Sequence, residues 1–286
     1  MTKAWSIEGA EGEPILGDTH VPEGAPRGVV VIAHGFKGYK DYGMFPRIAE
    51  TMAAAGMIAH RFNFSHSGMT NRIETFERPD LFERDTFNKQ VFDCRAVIGA
   101  IAAGRIDGTR LPSVLFGHSR GGAAALLTVG RSADDPLPVA PVGVVAASAP
   151  SACNPLPPEQ ADQLLERGFL ESPSARTGQA LRIGRASLSE QLEDPPAHDL
   201  PALVRRIDCP LLLVHGEADP TVPVACAHQL AEAAGVRAEV LIVEGADHVF
   251  NTPNPLPADE AASPQLQHLL RALVDFALTC CRRVTK

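Results

Sequence analysis

Ser119 stands in Gly117-His118-Ser119-Arg120-Gly121-Gly122, directly after the apolar run Val114-Leu115-Phe116 and directly before a helix-like stretch. A GxSxG at a strand-to-helix junction puts the serine on a sharp turn, exposed at the carboxyl edge of a sheet, where flanking glycines avoid Cβ clashes. The helix N-terminus beneath it supplies partial positive charge and a free backbone N–H. A serine hydroxyl is a weak nucleophile and needs a base. Of ten histidines, His248 in Glu244-Gly245-Ala246-Asp247-His248-Val249-Phe250 lies between the last strand pattern and the last helix pattern, where such a base belongs. His34, His118 and His215 end strands at the same edge, each followed by Gly (after His118, by Ser-Arg-Gly), and read as structural or pocket-lining. His228 and His268 fall on helices.

The imidazole in turn needs a carboxylate to hold its tautomer. Asp219, in His215-Gly216-Glu217-Ala218-Asp219-Pro220, lies just past the Leu211-Leu212-Leu213-Val214 run; Glu217 is its rival, and Asp247 reads as a turn-former. The loop one strand earlier, Ser148-Ala149-Pro150-Ser151, offers no carboxylate. An oxyanion hole needs two N–H donors. Arg120, after the nucleophile, gives one; Phe36, in His34-Gly35-Phe36-Lys37-Gly38, gives the other.

Continuous apolar runs at 29–33, 57–62, 113–116, 142–146, 211–214 and 239–243 read as strands buried on both faces. Helix-like stretches at 45–55, 87–103, 121–129 and 224–234 alternate with them, each stopped by a glycine (56, 104, 130 and 235), and a last helix covers about 264–279. This alternation makes the class α/β with a mostly parallel sheet flanked by helices. The first thirty residues read as an antiparallel hairpin. Residues 150–201 break the pattern. Prolines recur there, no strand is evident, and Leu164, Leu165, Phe169 and Leu170 fall at helical spacing, which reads as a folded lid inserted in a single domain of residues 1–286. That apolar face either lines a site or packs on the body.

The chain is 45% apolar and 21% charged, with 26 Lys and Arg against 34 Asp and Glu, a net charge of -8. An acidic chain is a poor nucleic-acid binder, and no apolar run is long enough for a membrane span. Met1 to Glu13 has no apolar core and carries three glutamates, unlike a secretory signal. The six cysteines show no ligand spacing and read as reduced thiols, so the expected location is cytoplasmic. No GxxxxGK[ST] or HExxH is present, so neither a nucleotide nor a metal cofactor is implied.

Taken in chain order, His-Gly-Phe, Gly-His-Ser-Arg-Gly-Gly, His-Gly-Glu-Ala-Asp and Ala-Asp-His resemble the α/β-hydrolase superfamily across residues 28–279. Within it the pattern is similar to bacterial carboxylesterases of the cinnamoyl/feruloyl esterase kind and to serine aminopeptidase and dienelactone-hydrolase-like groups. The resemblance implies a lid at residues 150–201, between the same two strands as in those esterases. Two departures stand out. Ser119 takes the place of the cysteine of dienelactone hydrolases proper, and Arg61-Phe62-Asn63-Phe64-Ser65-His66-Ser67-Gly68 keeps only part of the usual Asp-x-x-Gly-x-Gly loop. Ser119 also argues against dehalogenase chemistry, which uses Asp at the elbow.

The expectation is a cofactor-free serine hydrolase of small-molecule carboxylic esters. Thioester or amide cleavage, perhydrolysis and non-catalytic binding on the same scaffold remain open. A medium apolar or aromatic acyl group is expected, with His34, Leu165 and Phe169 as candidate substrate contacts. Lys37, Lys40, Arg72, Arg78 and Arg84 lie near the carboxyl edge and read as solvated surface cations.

Overall fold

The computed structural model describes residues 2–284. Ten strands form: β1 Thr2–Glu8, β2 Pro14–His20, β3 Val29–Ala33, β4 Ile58–Asn63, β5 Ser113–His118, β6 Gly143–Ala147, β7 Phe169–Glu171, β8 Arg182–Gly184, β9 Leu211–Gly216 and β10 Ala238–Val243. Eight make one sheet, ordered β1-β2-β4-β3-β5-β6-β9-β10. The opening hairpin β1–β2 pairs antiparallel to itself and to β4, and the other six strands run parallel. Their carboxyl ends therefore open onto one common edge.

Both faces of the parallel strands are covered, which is why their sequences are continuously apolar. Val29, Val31 and Ala33 of β3 point to one side, against helices Phe87–Ala102 and Arg120–Gly130. Val30 and Ile32 point to the other, against helices Met44–Ala54 and Pro264–Val284. The last helix runs five residues past its expected end. Gly130 is no left-handed stop: it stays helical at φ -63, and a Cβ there would lie 2.8 Å from the Leu203 carbonyl oxygen.

Residues 150–201 are more ordered than their sequence suggests. Helix Pro158–Arg167 ends at Gly168 (φ 83), so Phe169 and Leu170 leave the helix and start the small antiparallel hairpin β7–β8. Helices Ala186–Glu193, Pro195–His198 and Leu200–Val204 lead back to β9. Several hydrogen bonds tie the segment to the body, two of them through side chains that hold body backbone groups. Gln179 brackets Phe76, accepting its N–H at 2.7 Å and donating to its carbonyl at 3.0 Å. Glu190 accepts the Phe87 N–H at 2.7 Å, capping a body helix. Cys94, Cys153, Cys209, Cys226 and Cys280 carry free thiols, and no helix among the described residues is long and apolar enough to cross a membrane.

Several histidines serve this scaffold as buried neutral staples. His60 is hydrogen-bonded to Thr19 Oγ1 at 2.8 Å and to the Asp107 carbonyl at 2.9 Å. Burial lowers His34 and His60 to about 4 and His118 to about 3; burial and the Arg61 charge bring His20 to about 4. Between these values and the ordinary histidine value of about 6.5, the unfolded chain binds protons that the fold refuses. Their stabilisation is therefore complete above about pH 6.5 and is lost as pH falls through about 4. Asp85 and Asp93, which burial raises to about 7 and about 6, act in the opposite sense, but the histidines outnumber them. The thermal midpoint should rise from pH 4.5 to 6.5; a scanning-calorimetry series in which it falls over that window would contradict this balance.

Candidate active site

Ser119 joins β5 to helix Arg120–Gly130 with φ 54 and ψ -125, a conformation that costs a non-glycine residue on the order of 1–3 kcal/mol. The surroundings enforce it. A Cβ at Gly121 would lie 2.3 Å from the His34 carbonyl oxygen, and one at Gly35 would lie 3.0 Å from Ser119 Cβ. The helix start, the serine and the loop after β3 thus touch directly, with no room for a side chain between them.

Two other carboxyl-edge loops converge on the serine. Ser119 Oγ and His248 Nε2 are 3.0 Å apart, so the hydroxyl can donate to the ring; His248 Nδ1–H donates to Asp219 Oδ2 at 2.8 Å. The Asp219 side chain is fully buried, and its Oδ1 accepts the Thr221 and Val222 N–H groups at 2.8 and 2.9 Å. Burial alone would raise this carboxyl, but hydrogen bonds from His215, His248, Val222 and Thr221 outweigh it and hold the group well below the usual carboxylate range. The anion is therefore kept where an imidazolium would form.

The remaining edge histidines brace the loops. His215 Nε2 lies 2.9 Å from the Val222 carbonyl and 3.4 Å from Asp219 Oδ2, which holds the acid's turn closed. His118 Nε2–H donates to the His248 carbonyl at 2.8 Å. Glu217 Oε2 accepts the Gly245 N–H, and Asp247 accepts the Val249 and Asn251 N–H groups, so both carboxylates hold turns.

Arg120 opens its helix, and the first N–H of a helix has no intrahelical acceptor, so its backbone donor is available beside Ser119. Phe36 follows the Gly35 contact and is 41% exposed. Two cavities flank Ser119 and share Phe36. One, of about 240 Å³, is lined by Asp85, Phe87, Arg120, Ile183 and Leu188 among others. The other, of about 360 Å³, is lined by His118, His248, Lys37 and Arg176 among others.

The three expected substrate contacts lie elsewhere. His34 lines neither cavity: its Nδ1–H donates to the Gly35 carbonyl at 2.8 Å and its Nε2 accepts the Phe64 N–H at 3.2 Å, pinning the β3 loop to the chain after β4. Leu165 and Phe169 are half-buried within residues 150–201 and line neither cavity. In that helix Leu164 is the buried residue, and the Phe169 ring takes the Arg182 guanidinium at 4.1 Å. The apolar contacts from this segment are instead Leu156, Ile183 and Leu188. The edge cations are engaged too. Lys40 is buried between Asp18 and Asp41, and Arg72, Arg78 and Arg84 pair with Glu77, Glu13 and Glu11 respectively.

Sequence reasoning missed Asp85. Burial raises it to about 7, against the pull of Arg120 and of a hydrogen bond from Gln90. No motif marks it, because only the folded chain brings it beside Arg120.

The profile of the alpha/beta hydrolase family matches residues 30–261. The chain belongs to this family. It is 27% identical over 298 residues to a monoacylglycerol lipase of Mycolicibacterium smegmatis, covering 92% of this chain and 97% of the lipase. Est1E from Butyrivibrio proteoclasticus, solved with ferulic acid bound, superposes with a TM-score of 0.67 or 0.68 in two structures; in the ferulic acid complex, 17% identity covers 96% of this chain and 97% of Est1E. The monoacylglycerol lipase of Paleococcus ferrophilus superposes with a TM-score of 0.67 at 18% identity, covering 93% and 99% of the two chains.

The contact between Gly121 and His34 sets a test of this hydrolase's elbow. Gly121→Val must displace backbone rather than a side chain, and should cost at least about 2–3 kcal/mol of stability in chemical denaturation. A variant as stable as wild type would mean that the elbow tolerates a gap the geometry denies it.

Proposed function

We propose that the protein is a serine hydrolase of carboxylic esters, with Ser119 as nucleophile, His248 as base and Asp219 as the orienting acid. The observation that carries the reading is the hydrogen-bonded chain from Ser119 Oγ through His248 to Asp219, with contacts of 3.0 and 2.8 Å. His248 Nε2 takes the hydroxyl proton as Oγ attacks the ester carbonyl, and the Phe36 and Arg120 N–H groups receive the developing oxyanion. The imidazolium then gives its proton to the departing alcohol, and a water repeats the sequence on the acyl-enzyme. The names of the Mycolicibacterium lipase and of the esterase-like structures support ester over amide substrates.

The same chemistry sorts the two cavities. The imidazole must reach the leaving oxygen, so the alcohol occupies the cavity lined by His248, and the acyl group takes the one lined by Arg120. Residues 150–201 act as a lid within a single domain, presenting Leu156, Ile183 and Leu188 to the acyl group.

A fluorophosphonate should label Ser119 and no other serine in the folded protein; an adduct elsewhere, mapped by peptide mass spectrometry, sinks the assignment. Asp219→Asn should keep the fold and lose on the order of ten thousand-fold in kcat, while Glu217→Gln stays near wild type. The reverse ranking would reassign the acid. Leu188→Ser should lower kcat/KM for octanoyl esters by about tenfold, the equivalent of roughly 1.4 kcal/mol of apolar burial, and leave acetyl esters little changed. Equal losses on both would remove Leu188 from acyl recognition.

A further inference from the structure

The acyl cavity has a polar feature that the proposed mechanism does not use. Most of its wall is apolar, from Phe36, Phe82, Phe87, Ile183 and Leu188, yet Asp85 and the Arg120 side chain also line it. Their side chains are 11% and 18% exposed. Each keeps one buried atom without a hydrogen-bond partner among the described residues: Oδ1 of Asp85 and Nε of Arg120. Asp85 Oδ2 is occupied by Gln90 Nε2 at 2.7 Å, and it stands 3.7 Å from Arg120 Nε, close enough for charge attraction but too far for a direct hydrogen bond. The guanidinium is stacked over Phe87, with Cζ 4.0 Å from the ring centroid, so it is not free to swing toward Asp85.

Two neighbouring side chains, each with one buried polar atom unfilled, define what the wall of the cavity accepts there. An anion would meet Asp85, a cation would meet Arg120, and an apolar end would leave both atoms desolvated and unpaired. A hydroxyl satisfies both whether or not the raised Asp85 carboxyl holds its proton, accepting from Nε–H and either donating to Oδ1 or accepting from it. We propose that the Asp85–Arg120 pair is a specificity element that selects esters whose acyl group has an apolar body and a hydroxyl at its far end. The inference rests on the ester-hydrolase reading above and on its placing of the acyl group, and deepens it from a general apolar acyl group to a hydroxylated one. Sites built to hydrogen-bond a substrate hydroxyl reject the analogue that lacks it far more strongly than apolar pockets reject a missing methylene.

The test compares kcat/KM for matched esters of one alcohol: hexanoyl with 6-hydroxyhexanoyl, heptanoyl with 7-hydroxyheptanoyl, and octanoyl with 8-hydroxyoctanoyl. At least one hydroxylated member should be favoured by about tenfold or more in the wild-type protein. Asp85→Ala should erase that preference, read as the ratio of kcat/KM within each pair whatever its effect on the plain ester, and Asp85→Asn, which can still accept and donate, should keep most of it. If the plain esters are cleaved and no pair differs by more than about twofold, the inference is overturned while the hydrolase reading stands. A preference that survives Asp85→Ala, or a loss in that variant equal on both members of the pair, also overturns it and leaves Asp85 as a brace for Arg120. If wild type cleaves none of the esters, the hydrolase reading fails instead. The pocket is then judged by calorimetric binding of the same pairs to Ser119→Ala, where equal affinities for both members overturn the inference and a tenfold difference upholds the pocket's selectivity.

Discussion

The site depends on a contact with no clearance, the start of helix Arg120–Gly130 pressed against the carbonyl end of β3 at Gly121. Strands β3 and β5 are parallel neighbours, with Ala33 opposite Gly117, so the loops that follow them must leave the sheet side by side. The helix can start immediately only if its first turn slides beneath the β3 carbonyls. That demand forces Ser119 into its positive-φ turn and brings the Phe36 loop within reach of the Arg120 N–H. One steric fact thereby sets the direction of the hydroxyl and the position of both candidate oxyanion donors.

Around that contact the chain uses one residue type in opposite ways. Asp219 and Asp85 are both withdrawn from water near Ser119, yet they shift in opposite directions. Asp219 receives hydrogen bonds on both oxygens from two histidines and two backbone amides, which outweigh the cost of burial. Asp85 receives one amide bond and a cation held beyond hydrogen-bond distance, so burial prevails. Donor count at short range, more than depth, decides the sign. The edge histidines follow a similar division. His248 has a carboxylate on one nitrogen and a hydroxyl on the other, whereas both nitrogens of His34 and Nε2 of His118 are engaged by backbone groups, which suits them for bracing.

The parallel strands and the three convergent loops were legible in the sequence because each rests on local information. A doubly covered strand must be continuously apolar, and a strand-end Gly-x-Ser-x-Gly states its own backbone geometry. Residues 150–201 were only partly legible, since Leu164, Leu165, Phe169 and Leu170 keep a helical period that Gly168 cuts in two. The period predicted one amphipathic face, but the left-handed turn divides it between a helix and a hairpin, and the residues that reach the cavity, Ile183 and Leu188, come from further along. Gly130 reads as a stop by type, yet its role is to admit the Leu203 carbonyl. Asp85 had no signature at all: it lies 35 positions before Arg120, and nothing along the chain announces a pairing made only by tertiary folding.

The segment over the cavity and the elbow beneath it are mechanically linked through Phe87. Its N–H is capped by Glu190 from helix Ala186–Glu193, and its ring carries the guanidinium of Arg120, the residue that follows Ser119. Glu190 is also 3.4 Å from His198, and the neighbouring Asn88 N–H reaches the same carboxylate. Helix Ala186–Glu193 therefore cannot lift without uncapping the body helix and loosening the base on which Arg120 is stacked. The β7–β8 hairpin region meets the body elsewhere, at the Gln179 bracket on Phe76, at the hydrogen bonds from Arg176 to the Ile73 carbonyl and from Lys37 to the Pro173 carbonyl, and where Gly184 lies against the Glu83 carbonyl.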